Sequence, residues 1–131
     1  MEQHRYGFSV TLHDTALEEA VERVTASLAD VGFGVLTRID VDKTVKAKLD
    51  IDFRPYTMLG ACNPGLAIRA LNDDAEIGLW MPCNVVVQQT GSDSRISVID
   101  PNTMVPLVDG AEVKTVMGEA QQLLTEALKS T

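Results

Sequence analysis

Aromatic residues are scarce in this chain, 5% of 131 positions, so few flat side chains are available on which nucleobases could stack. Positive charge is short as well: eleven Lys and Arg against nineteen Asp and Glu leave a net charge of −8. Such a balance repels phosphate backbones and anionic bilayers unless a basic patch intervenes. The nearest one, Lys43, Lys46 and Lys48, is interrupted by Asp40, Asp42 and Asp50 and reads as a solvated face. Neither nucleic acid nor a membrane is an expected partner. Long apolar runs are also missing, and no stretch reaches the roughly 20 residues of a membrane span. The opening Met1-Glu2-Gln3-His4-Arg5 is polar with no apolar run behind it, unlike a secretory signal, and the expected location is the cytoplasm. With only two cysteines, Cys62 and Cys83, a reducing compartment makes free thiols the reading rather than a structural disulfide.

Catalytic signatures are absent too. There is no Ser-His-Asp order and no dinucleotide fingerprint, and Gly60 and Gly65 lack the further glycines and the lysine of a phosphate-binding loop. The acids are scattered, so no pair stands out for acid–base work. His4 and His13 flank the first strand at an odd separation, which sends them to opposite faces and makes them a poor metal pair.

What is present is enough apolar sequence, 45%, for one core, and a single domain over residues 1–131 is expected. Tyr6 to Leu12 alternates apolar and polar residues, the period of a half-buried strand. Thr15 with Glu18 fits a capping box. Leu17, Val21, Val24, Leu28 and Val31 then recur at helical spacing up to Gly32, a helix-ending glycine. Gly34 to Ile39 reads as a second strand, and Asp40 as the cap of a short charged helix over Val41 to Leu49. Phe53 to Leu59 supplies a third strand that delivers Cys62. Asn63 and Pro64 suit the cap and first position of a helix reaching Leu71.

Ile77 to Met81 is an apolar run returning the chain to Pro82. Cys83 to Gln89 and Ser94 to Ile99 form a hairpin about Thr90-Gly91-Ser92-Asp93. The apolar loop after Asp100 is expected to pack down, and a long amphipathic helix closes the chain from Ala111 to Leu128. Two such helices need one sheet with one covered face, hence a two-layer α+β domain.

Two stretches carry the candidate chemistry: Gly60-Ala61-Cys62-Asn63-Pro64 and Met81-Pro82-Cys83-Asn84. Together with Leu79-Trp80 and Gly65-Leu66-Ala67 they resemble the domain-of-unknown-function 302 family, small bacterial and archaeal proteins with no established activity. The resemblance runs from Tyr6-Gly7-Phe8 to the last helix. It implies a single mainly antiparallel sheet in β-α-β4-α order, similar to a TATA-binding-protein half-domain, in agreement with the order read from the residues, which adds two short helices inserted before and after the third strand. A shared fold of that kind implies no DNA binding.

If the third and fourth strands are neighbours, both thiols lie at one end of the sheet. Cys62, just ahead of a helix N-terminus, faces unpaired N–H groups that favour thiolate. At an exposed terminus that effect is only about 0.3–1 kcal/mol, which suits binding better than catalysis. The one sequence-local cation, Arg69, stands about two turns into the helix.

Cys62, Asn63, Cys83 and Asn84 are therefore the candidate ligand-binding residues, in a pocket for a small or thiophilic ligand. A thiol enzyme or redox protein using Cys62 is the alternative, and two purely structural cysteines the third reading. Each asparagine also reads simply as a backbone staple. No cofactor is identified and no metal set is assigned, since two thiolates fall short of the four ligands of structural zinc. The uncovered sheet face and the apolar Trp80 neighbourhood point to a homodimer.

Overall fold

The computed structural model describes residues 1–131. Pleat alternation does what the sequence pattern demands: Phe8, Leu59, Ala61, Val85, Val87, Ile96 and Val98 all turn to one face of a six-stranded antiparallel sheet. The strands are β1 (Glu2–Gln3), β2 (Gly7–Leu12), β3 (Gly34–Asp40), β4 (Tyr56–Cys62), β5 (Cys83–Thr90) and β6 (Asp93–Ile99), in the spatial order β1-β2-β6-β5-β4-β3. Two helices cover that face. The apolar stripes of α1 (Leu17–Asp30) and α4 (Ala111–Lys129) meet the sheet through Val24, Leu28, Leu124 and Leu128, all essentially inaccessible to solvent. Each such side chain contributes roughly 1.5–3 kcal/mol by leaving water.

The α+β class and the β-α-β4-α order expected from the sequence are observed, with one addition. β1 is a two-residue edge strand that pairs Glu2 with Ser9 and Gln3 with Phe8. Of the inserted helices, α2 (Val41–Leu49) buries no residue at all, while α3 (Pro64–Asp73) buries Ala70. A second apolar cluster, containing Ala70, Ile77, Val108, Val113, Val116 and Met117, joins α3 to the first half of α4.

Local expectations give way where a tertiary partner does the same work. The Thr15–Glu18 capping box does not form: α1 starts at Leu17 after Ala16, without a side-chain cap. Thr15 is buried and donates to the His13 carbonyl, and the Leu17 N–H donates to Gln89 Oε1 of β5 at 3.2 Å. Asp40 precedes α2 but does not cap it. Its carboxylate accepts from Thr57 Oγ1 at 2.9 Å and Arg38 Nε at 3.0 Å, because Asp40 is also the last residue of β3 and lies opposite Thr57.

The third predicted strand begins at Tyr56, three residues later than Phe53. The Phe53 ring instead lies outside the sheet beneath the Arg54 guanidinium, 4.5 Å from it. The Ile77–Met81 run forms, up to Trp80, part of a short 3-10 helix, Ala75–Trp80, opened by Asp74 accepting from the Glu76 N–H, and Met81 follows it in extended conformation. The loop after β6 does pack down: Pro101–Leu107 is a second 3-10 helix, with Pro101 and Val108 buried.

Candidate functional site: a sulfur-lined cavity at one end of the sheet

In the β4–β5 register Ala61 stands opposite Cys83, so Cys62 leaves the sheet one residue beyond the point where Cys83 enters it. Both thiols thus lie at the same end. Asn63 turns the chain there: its Oδ1 accepts from the Leu66 N–H at 3.2 Å, capping α3, and Pro64 occupies the first turn. The same side chain lies against the end of α1. Gly32 there has φ +85°, and a Cβ on it would come 3.0 Å from Asn63 Nδ2. Replacing Asn63 with Ala removes the cap at an expected cost of about 1 kcal/mol. Urea denaturation reads it, and an unchanged midpoint would mean that α3 is held by packing alone.

Around the thiols the sheet end, α3, α4 and both 3-10 segments leave a cavity of about 70 Å³, lined by 18 residues of which 15 are hydrophobic. Its size lies between the roughly 30 Å³ share of one water and the roughly 150 Å³ that admits benzene. Asn63 supplies an amide to the lining, and no carboxylate or imidazole lines it. Burial, and secondarily the charge of Cys62, pushes the Cys83 thiol up to about 11. Cys83 is therefore protonated near neutral pH. Arg69 does not serve the thiols: its Nε donates to Glu112 Oε1 at 2.7 Å and its Nη1 pairs with Glu119 at 2.6 Å, tying α3 to α4.

The cavity brings together Cys62, Asn63 and Cys83, and leaves Asn84 out. One residue on in a pleated strand, Asn84 faces the other side of the sheet, opposite Gly60, in a shallow groove with Tyr6, Tyr56 and Arg95. The two histidines serve different ends of β2. His4 Nε2 lies 2.8 Å from Ser9 Oγ, and His13 Nδ1 lies 3.3 Å from Asp93 Oδ2. Trp80 lines the cavity while 40% exposed, and Leu79 beside it is 80% exposed.

Sequence reasoning did not anticipate the methionines. Met81, Met104 and Met117 all line the cavity, and no spacing in the chain connects them. No three His, Cys, Asp or Glu side chains cluster together, and no helix is long and apolar enough to cross a membrane.

A family model described as Domain of unknown function DUF302 matches residues 8–131. The chain belongs to the DUF302 family. A solved structure titled as an uncharacterized conserved protein DUF302 from Bacillus stearothermophilus is 30% identical, with a TM-score of 0.82 over 94% of this chain and 97% of that one. No curated protein matches. DUF302 membership therefore supports the fold and its extent along the chain.

Proposed function

We propose that this DUF302 protein is a binding module that takes a small thiophilic ligand into the cavity at Cys62 and Cys83. The observation that carries the reading is the pairing of two thiols with an apolar, partly open cavity at a helix N-terminus. Ligand pockets are commonly of this make-up, mostly apolar with a few polar or reactive groups. Binding is favoured over nucleophilic catalysis by what surrounds the thiols. Arg69 is engaged elsewhere, no imidazole or carboxylate lines the cavity, and an activated nucleophile needs such a base or cation beside it. Reduced thiols fit a cytoplasmic setting.

A chromogenic disulfide reagent tests the reading. Two thiols are expected in denatured protein, and in native protein slow labelling of Cys83. A thermal-shift screen of metals and metabolites should then find a ligand that raises Tm, a shift worth about 2.7 kcal/mol at a hundred times Kd. No stabilising ligand together with two unreactive native thiols would make both cysteines structural. Turnover of the label by added reductant and peroxide would instead favour a thiol enzyme using Cys62.

The same reading includes a homodimer. The sheet face away from α1 and α4 carries Tyr6, 70% exposed, with Tyr56, Val86 and Ile99 around it, and the Leu79–Trp80 corner adds exposed apolar surface. A second copy would take these surfaces out of water. Sedimentation at micromolar concentration is expected to give twice the chain mass, and a monomer there would remove the dimer.

A further inference from the structure

Five of the chain's seven sulfur-bearing residues, Cys62, Cys83, Met81, Met104 and Met117, line this one cavity, leaving out Met1 and Met58. Resting on the pocket reading above, we infer that the ligand is a soft monovalent d¹⁰ cation, Cu(I) or an ion of the same chemistry, held by cysteine sulfur with methionine thioether support. Thiolate and thioether donors select such ions, whereas magnesium and calcium require a shell of oxygen donors, of which the side chains of this lining offer one amide and no carboxylate, and zinc prefers a closed set of Cys and His ligands.

Charge points the same way. An apolar lining disfavours any net charge inside it. A monovalent ion that takes the place of one thiol proton forms a sulfur–metal bond, releases that proton to solvent, and leaves the cavity neutral. Thioethers then complete the coordination without adding charge. A divalent ion would leave a net charge in that lining unless both thiols gave up their protons. No electron is transferred in this step. The volume, about 70 Å³, suits a single ion better than a ring-sized metabolite.

The methionines are placed for exchange as well as packing. Met117 on α4 is buried, whereas Met81 and Met104, from the segments after Trp80 and within Pro101–Leu107, are only half-buried. Flexible, polarisable side chains on the two irregular segments can therefore reach an entering ion and follow it inward. Trp80, the only tryptophan, lines the same cavity and provides an intrinsic fluorescence signal.

The test titrates anaerobic, reduced protein with Ag(I) as a redox-inert probe, and with Cu(I) in competition with a chromophoric Cu(I) chelator. One ion per chain is expected, with an ultraviolet sulfur-to-metal charge-transfer band and a change in Trp80 emission, and Zn(II) should bind far more weakly. Cys62→Ser is expected to weaken Cu(I) by on the order of a hundredfold or more, because the thiolate is the principal soft donor. Met81→Leu and Met104→Leu preserve volume and both thiols, and should each weaken binding by about tenfold, as loss of a supporting ligand does. Circular dichroism melts confirm that each variant is folded.

Wild-type affinity in both Met→Leu proteins would overturn the inference, since the ion would then be held by accessible thiols alone. Zn(II) binding as tightly as Cu(I) would do the same. If neither Ag(I) nor Cu(I) binds while a small apolar electrophile still raises Tm, the cation is wrong and the pocket reading stands. If nothing binds and neither native thiol reacts, both fall.

Discussion

Between pH 9 and pH 11 the native protein is expected to lose about 2 kcal/mol of stability that a Cys83→Ala variant keeps. The cause is burial first and the charge of Cys62 second, which together lift the Cys83 thiol from 9.0 to about 11 in the folded chain. Below the unfolded value both states hold the proton, and the site costs nothing. As pH rises past it, the unfolded chain releases its proton while the folded one retains it, so each further unit favours unfolding by about 1.4 kcal/mol until the folded thiol ionises. Stability conferred by the protonated thiol is thus present below about pH 9 and lost on the way to 11.

Urea denaturation under reductant, wild type against Cys83→Ala, isolates this contribution from the tyrosines and lysines that titrate in the same range. Parallel pH profiles would mean that Cys83 is solvated in the native state. The kinetic counterpart is slow alkylation. At neutral pH the thiolate fraction of Cys83 should fall below that of an unburied cysteine by about two orders of magnitude, the two units between 9.0 and about 11.

The parts of the fold that could be read from the chain are those set by periodicity. The alternation of Phe8, Val10 and Leu12, the stripe ending at Leu128, and the Thr90–Asp93 turn, with Gly91 at φ +64°, depend on neighbours a few residues away. Caps were less legible because a distant side chain can satisfy the same N–H. Gln89 replaces Thr15 at α1, and α4, which begins after Gly110 with no cap of its own, receives Asp73 Oδ2 on the Val113 N–H at 3.0 Å. Two Cys-Asn dipeptides look alike in sequence but end differently, since Asn63 caps a helix and Asn84 sits one pleat away from the cavity that Cys83 lines. The methionines of that cavity come from three separate segments, and only the docking of α4 and the two 3-10 helices on the sheet end brings them together.

Gly7→Ala is expected to cost about 3 kcal/mol or more, and to loosen the cavity as it does so. Gly7 opens β2 opposite Ile99 of β6, and glycine in a strand often marks a close approach of backbones. Here a Cβ would overlap the Val98 carbonyl oxygen outright, and would stand 2.9 Å from the Val98 carbonyl carbon and 3.1 Å from the Asp100 nitrogen. These are backbone atoms, so no rotamer change relieves the collision. β2 and β6 must separate, weakening ladder bonds as well as the Asp100 N–H to Tyr6 carbonyl bond of 2.9 Å. That bond anchors the chain just before Pro101 and Met104, which line the cavity. The substitution should therefore lower the urea midpoint and also speed native-state labelling of Cys83. Gly34→Ala is the control at the same end of the sheet. Gly34 pairs with Cys62, a Cβ there meets nothing within 4 Å, and its φ lies outside the left-handed region. Its expected effect is neutral to about 1 kcal/mol stabilising, through the less flexible unfolded chain. A Gly7→Ala protein as stable as Gly34→Ala would show that β2 and β6 are not held at backbone contact, and Cys83 labelling unchanged in a clearly destabilised Gly7→Ala would uncouple this strand pair from the cavity.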